Sequence, residues 1–132
     1  MAKEKTFMTP KKLTLLVVDD EEPIRQLLSA QLRHEGYTVL QARDGDTALS
    51  LLERNPIDVA IVDIVMPGKD GIQTITNLRI THPDLKIIAM SGDIDSAVYL
   101  TAADRLGVKQ RLNKPFTHEQ LLGALEAIML EQ

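Results

Sequence analysis

Three aspartates stand directly after apolar runs rich in β-branched residues: Asp19 and Asp20 after 13–18, and Asp63 after 57–62. Such runs are the pattern of strands buried on both faces of a parallel sheet. Side by side, those strands would bring three carboxylates to the C-terminal edge of the sheet, where open α/β sheets bind ligands. Two carboxylates ~4 Å apart repel by about 4 kcal/mol at an effective dielectric of 20. A cluster of that cost suits a cation, a reaction of an anion, or both. Ser91 follows another apolar run, 85–90, and Lys114 follows a more polar one, 108–113.

Taken singly, each residue has a simpler reading. Asp19 and Asp20 favour the N-terminus of a following helix, Asp63 and Ser91-Gly92 suit turns, and Lys114 suits a surface loop. Together they describe one rim with three carboxylates, a hydroxyl and an ammonium. The chemistry this suggests is phosphoryl transfer. Oxygen-only ligation fits a hard cation such as Mg²⁺, and a transferring phosphoryl group spreads negative charge over its equatorial oxygens. With no cysteine in the chain and no histidine in the set, the nucleophile must be a carboxylate. Asp63, central in the sheet and followed by a loop, is the best placed.

The elements that must position these groups alternate without a break. Strands are expected over 13–18, 37–42, 57–62, 85–90 and 108–113. Pro23 belongs in the first turn of a helix carrying Ile24, Leu27, Leu28 and Leu32 as an apolar stripe, closed by Gly36. Asp44-Gly45 opens a second helix with Ala48, Leu49 and Leu52 inward, stopped at Asn55-Pro56. After a loop at Met66-Pro67-Gly68, Asp70 and Gln73 read as a capping box for a third helix over Ile72, Ile75 and Leu78. A fourth helix runs from about Asp95 to Leu106 and ends at Gly107. Thr117 and Gln120 cap the last, which carries Leu121, Leu122, Leu125, Ile128 and Met129. Polar residues Lys109, Gln110 and Arg111 put the fifth strand at a sheet margin. Strict βα alternation with right-handed crossovers predicts a doubly wound five-stranded parallel sheet with five helices on both faces.

A chain of 132 residues is one domain, here a leader over 1–11 and a folded unit over 12–132. Only 3% of residues are aromatic, so the core must be Leu, Ile, Val, Ala and Met. The net charge of -4 and pI near 5.3 argue against nucleic acid as a direct partner. The sequence offers neither a membrane span nor a signal peptide, and zero cysteines fit a cytoplasmic setting. His34, His82 and His118 are expected at solvated helix ends, none at metal-ligand spacing.

The motifs Val18-Asp19-Asp20-Glu21, 63–71, Ala89-Met90-Ser91-Gly92 and Lys114-Pro115-Phe116 resemble, in order and spacing, the signatures of response regulator receiver domains. The resemblance covers about Leu13 to Met129. It implies the flavodoxin-like strand order 2-1-3-4-5 and phosphorelay signalling, with Asp63 as phosphoacceptor. Asp20 and Asp63 would ligate Mg²⁺ directly, Asp19 through a water, and Val65 through its backbone carbonyl. Ser91 and Lys114 would each hold a phosphoryl oxygen, and the Lys114–Pro115 peptide would be cis. The implied donor is a histidine kinase or histidine phosphotransfer protein. The implied output is a protein target on the face of the fourth helix, fifth strand and fifth helix, from a monomer or a phosphorylation-dependent dimer. The chain would be a phosphoacceptor that mediates its own phosphorylation and dephosphorylation, not an enzyme acting on others.

Two departures stand out. Arg111 occupies the position where the family commonly has Tyr or Phe, and is expected to stay outward or to pair with an acid near the fourth helix such as Asp93, Asp95 or Asp104; Gly92 keeps the usual small residue. Only 18 residues follow Lys114, which resembles the single-domain regulators typified by the chemotaxis protein; a receiver excised from a larger regulator is the alternative. Val65 and Asp93 would flank the water that attacks the acyl phosphate, and valine cannot orient it. Other readings fit less well. A haloacid-dehalogenase-type phosphatase needs an acid where Val65 stands. A phosphorylation-independent interaction module typically lacks part of the acidic set or the lysine. A flavodoxin-like nucleotide binder needs a phosphate-cradling loop where 19–22 is acidic.

Overall fold

The apolar runs form five parallel strands: β1 (Thr14–Val18), β2 (Thr38–Ala42), β3 (Val59–Asp63), β4 (Lys86–Ser91) and β5 (Gln110–Asn113). The computed structural model describes residues 13–66, 69–92 and 96–131. The expected leader, the Pro67-Gly68 turn, Asp93 and Asp95 therefore lie outside the described residues. The strands are ordered β2-β1-β3-β4-β5, so polar β5 is an edge strand, as its sequence requires. No helix among the described residues is long and apolar enough to cross a membrane.

Helices α1 (Glu22–His34), α2 (Gly45–Arg54), α3 (Gly71–Thr81) and α4 (Ser96–Arg105) fill the four crossovers, and α5 (His118–Met129) follows β5. Their ends follow local chemistry. Pro23 lies in the first turn of α1, where its missing N–H is unneeded. Asp44 Oδ1 accepts the Thr47 N–H at 2.8 Å. Thr117 and Gln120 form a reciprocal capping box, at 3.0 and 2.9 Å. Gly36 and Gly107 adopt φ of 101° and 85° just past α1 and α4, where a left-handed residue ends a helix without a Cβ clash. Gln73 Nε2 donates forward to Asn77 Oδ1. Arg79 of α3 fastens the end of α4, donating to Leu106 O at 3.1 Å and to Leu85 O at 2.7 Å.

Alternation along each strand divides the core in two. Leu16, Val18, Ala60, Val62, Ile87 and Ala89 face α2, α3 and α4, with Ile75, Leu78 and Ala103 among their partners. Leu15, Val17, Ile61, Ile88, Met90 and Leu112 face α1 and α5. Two local expectations change. Leu27, expected in the buried stripe of α1, is 59% exposed; Leu28 and Leu32 point inward, and Leu27, about 100° around the helix from Leu28, turns to the rim. The stretch expected to be only a loop after β3 carries two short strands, Val65–Met66 and Lys69–Asp70, paired antiparallel outside the main sheet.

This ribbon delivers α3 against the backbone of the site. A Cβ on Gly71 would overlap the Asp63 carbonyl oxygen and the Ile64 backbone, so only glycine permits the approach. Gly71→Ala is expected to destabilise the fold by about 3 kcal/mol in urea denaturation. Gly123→Ala is the control: it lies inside α5 with nothing within 4 Å of its Cβ position, and should gain about 1 kcal/mol.

Candidate functional site

Parallel register places the site. Val18 pairs with Val62, so Asp19 and Asp63 are the next residues along adjacent strands. Asp63 pairs with Met90, which sets Ser91 one step beyond it on β4. The Lys114 N–H donates to Ser91 O at 2.7 Å, which brings the end of β5 to the same rim. The glycine after Ser91 makes this close: a Cβ on Gly92 would stand 3.0 Å from Lys114 Cβ. The Lys114–Pro115 peptide is cis, as the resemblance implied.

All three aspartates meet, with one carboxylate oxygen from each of Asp19, Asp20 and Asp63 within 4.8 Å of the others. Asp19 is fully buried and Asp63 nearly so, whereas Asp20 is exposed. Lys114 Nζ donates to Asp19 Oδ2 at 2.8 Å and to Asp63 Oδ2 at 2.9 Å. Glu21 Oε1 lies 3.7 Å from the same ammonium, and the Glu21 N–H donates to Asp19 Oδ1 at 2.9 Å. Burial alone would lower the Lys114 pKa, but its hydrogen bonds to Asp19 and Asp63, and their charges, hold it above its ordinary 10.5. Ser91 Oγ is buried and has no hydrogen-bond partner among the described residues, a rare state for a native hydroxyl.

These observations fit a divalent cation and a phosphoryl group. Asp19, Asp20, Asp63 and Glu21 against one ammonium leave three formal negative charges, the acceptors are all oxygen, and Mg²⁺ prefers such donors. The Ser91 hydroxyl is the kind of group that could donate to an incoming oxygen. Val65 stands two residues past Asp63, in the short ribbon. Arg111 is exposed, in register with Ala89 on the outermost strand. The solvated reading fails at His118, which contacts Glu35 Oε2 through Nε2 at 2.9 Å and ties α5 to the end of α1. Glu21 also escaped notice as a member of the site, although the acidic run 19–22 signalled it.

A profile of the family described as Response regulator receiver domain matches residues 15–126. Transcriptional regulatory protein CpxR of Klebsiella pneumoniae is 37% identical over 117 residues, which span 87% of this chain and 48% of CpxR. The chain thus spans about half the length of the curated relatives it matches. Among solved structures, chemotaxis protein CheY4 of Vibrio cholerae superposes with a TM-score of 0.81 at 29% identity, covering 89% of this chain and 98% of CheY4. Response regulator protein TrrA of Thermotoga maritima, solved in complex with Mg(2+)-BeF, superposes with a TM-score of 0.77 at 30% identity, covering 88% and 98%.

The ammonium between two buried carboxylates sets a stability prediction. Lys114→Ala should cost the metal-free protein about 3 kcal/mol, since breaking a buried pair leaves uncompensated charge. Urea denaturation in EDTA measures it, and added Mg²⁺ should return part of the loss. Because the folded-state pKa of Lys114 is raised, its contribution is full below pH 10.5 and is lost as pH climbs through the folded value. Wild type and variant should therefore converge as pH rises into strong alkali.

Proposed function

Since the chain belongs to the response regulator receiver domain family and serves phosphorelay signalling, we propose that Asp63 is its phosphoacceptor. The observation that carries this is the Lys114 ammonium bridging Asp19 and Asp63 beside the Ser91 hydroxyl, which has no hydrogen-bond partner among the described residues. Asp63 attacks the phosphorus of a phosphohistidine on the donor. The new O–P bond forms as the N–P bond breaks, and the imidazole leaves with the electron pair and is protonated by solvent. Lys114 turns from Asp63 toward one phosphoryl oxygen while still held by Asp19, and Ser91 donates to another. Asp19, Asp20, Asp63 and the Val65 carbonyl are the groups that would hold Mg²⁺, which when bound neutralises charge on the phosphoryl oxygens. The protein mediates its own phosphorylation and dephosphorylation, and we place it in the cytoplasm.

The donor is a histidine kinase or histidine phosphotransfer protein, and a groove of about 550 Å³ beside Asp63 supports an approach along α1. The groove runs from Asp63 and Lys114 between Ile24, Leu27, Leu28 and Gln31 of α1 and the Pro115-Phe116 turn. Its exposed Leu27 offers apolar area to a donor helix. The output is a protein target on the face of α4, β5 and α5, where Arg111 is a charged contact.

Incubation with Mg²⁺ and acetyl phosphate, followed by intact-mass analysis, should add one phosphoryl group. Asp63→Asn and chelation should each abolish it; labelling that survives Asp63→Asn overturns the assignment. Leu27→Glu should cut transfer from a phosphorylated kinase domain by about tenfold, the effect of about 1.4 kcal/mol at an interface, while labelling by acetyl phosphate persists. Equal loss with both donors would exclude the groove as a protein-docking surface.

A further inference from the structure

We infer that Arg25 is a positioning residue for the acidic rim: it grips the Asp19–Asp20 peptide, braced by Gln41, and so sets where the Asp20 carboxylate stands for a divalent cation. The inference rests on the assignment of Asp20 as a metal ligand. Asp19 is held at every polar atom. Its N–H donates to Ala42 O at 3.1 Å, and its carboxylate accepts from Glu21 N and Lys114 Nζ. Its carbonyl oxygen accepts from Arg25 Nη1 at 2.9 Å. Asp20 differs. It is exposed, and its carboxylate has no hydrogen bond or ion pair among the described residues. Its position therefore depends on its backbone, and the peptide that precedes it is the one Arg25 holds.

The guanidinium can hold that peptide because it is fixed elsewhere. Arg25 is half-buried in the first turns of α1, and its Nε donates to Gln41 Oε1 of β2 at 3.0 Å. One planar fork thus joins α1, the β1 terminus and the neighbouring strand. Groups that orient metal ligands without touching the metal affect affinity strongly. The charge of Arg25 opposes a cation, so its two effects differ in sign. If geometry dominates, removing Arg25 weakens Mg²⁺; if charge dominates, removal strengthens it.

The experiment is Mg²⁺ titration by calorimetry on the whole chain, with half-saturating Mg²⁺ for acetyl phosphate labelling as a second readout and urea stability in EDTA as a third. Arg25→Gln should weaken Mg²⁺ about tenfold, with the effect on half-saturating Mg²⁺ rather than on the rate at saturation. Arg25→Lys, which keeps the charge but cannot make both bonds, should be equally weak. Gln41→Ala keeps the arginine and its charge and serves if Arg25→Gln does not fold; it should also weaken Mg²⁺. Gln41→Glu, which retains an acceptor for Nε, should bind more tightly than Gln41→Ala. Unchanged or tighter Mg²⁺ binding in Arg25→Gln or Gln41→Ala, even with lowered urea stability, overturns the inference and leaves the Asp63 assignment standing. Absence of Mg²⁺ binding in the wild type would overturn the metal assignment and the inference with it.

Discussion

Carboxylates repel, and this fold buries two of them on adjacent strand ends. Parallel register leaves Asp19 and Asp63 no freedom to separate, because each continues a strand whose neighbours are packed on both faces. The rim is tolerable because the Lys114 ammonium reaches both at hydrogen-bond distance. Other local features serve that contact. The backbone tie between Lys114 and Ser91 sets the height of the lysine, Gly92 lets it pass close by, and Gly71 lets α3 close against the base of Asp63.

The rim is asymmetric in burial. Asp19, Asp63 and Ser91 are enclosed, while Asp20 faces solvent and Lys114 is only partly covered. Solvent therefore reaches the cluster from the side of Asp20 and from the α1 groove. The residues beneath the enclosed side include the aliphatic rows of both cores.

Strands buried on both faces leave unbroken apolar runs, and caps are local chemistry, so the five strands of the main sheet, five helices and their alternation along the chain were legible from the residues, while the strand order came from the family resemblance. The site was legible for the same reason: Asp19, Asp20, Asp63, Ser91 and Lys114 each end a strand, and a parallel sheet aligns strand ends. What escaped depends on azimuth or on distant partners. Periodicity reports that α1 has an apolar face, and does not say that Leu27 lies outside it. The pairing of His118 with Glu35 spans 83 residues and that of Arg25 with Gln41 spans 16; no local pattern encodes either. The ribbon after β3 is two residues per strand, too short to show alternation.

Lys114 lies 95 residues from Asp19 and 51 from Asp63, at the end of the last strand and on the sheet's margin. Contacts of such separation form late, since closing long loops costs chain entropy before any reward arrives. A chain emerging in order would assemble β1 to β4 with its acids gathered and no lysine among them. Docking of the edge strand then brings the ammonium to those acids, so relief of their repulsion waits on the last strand of the sheet.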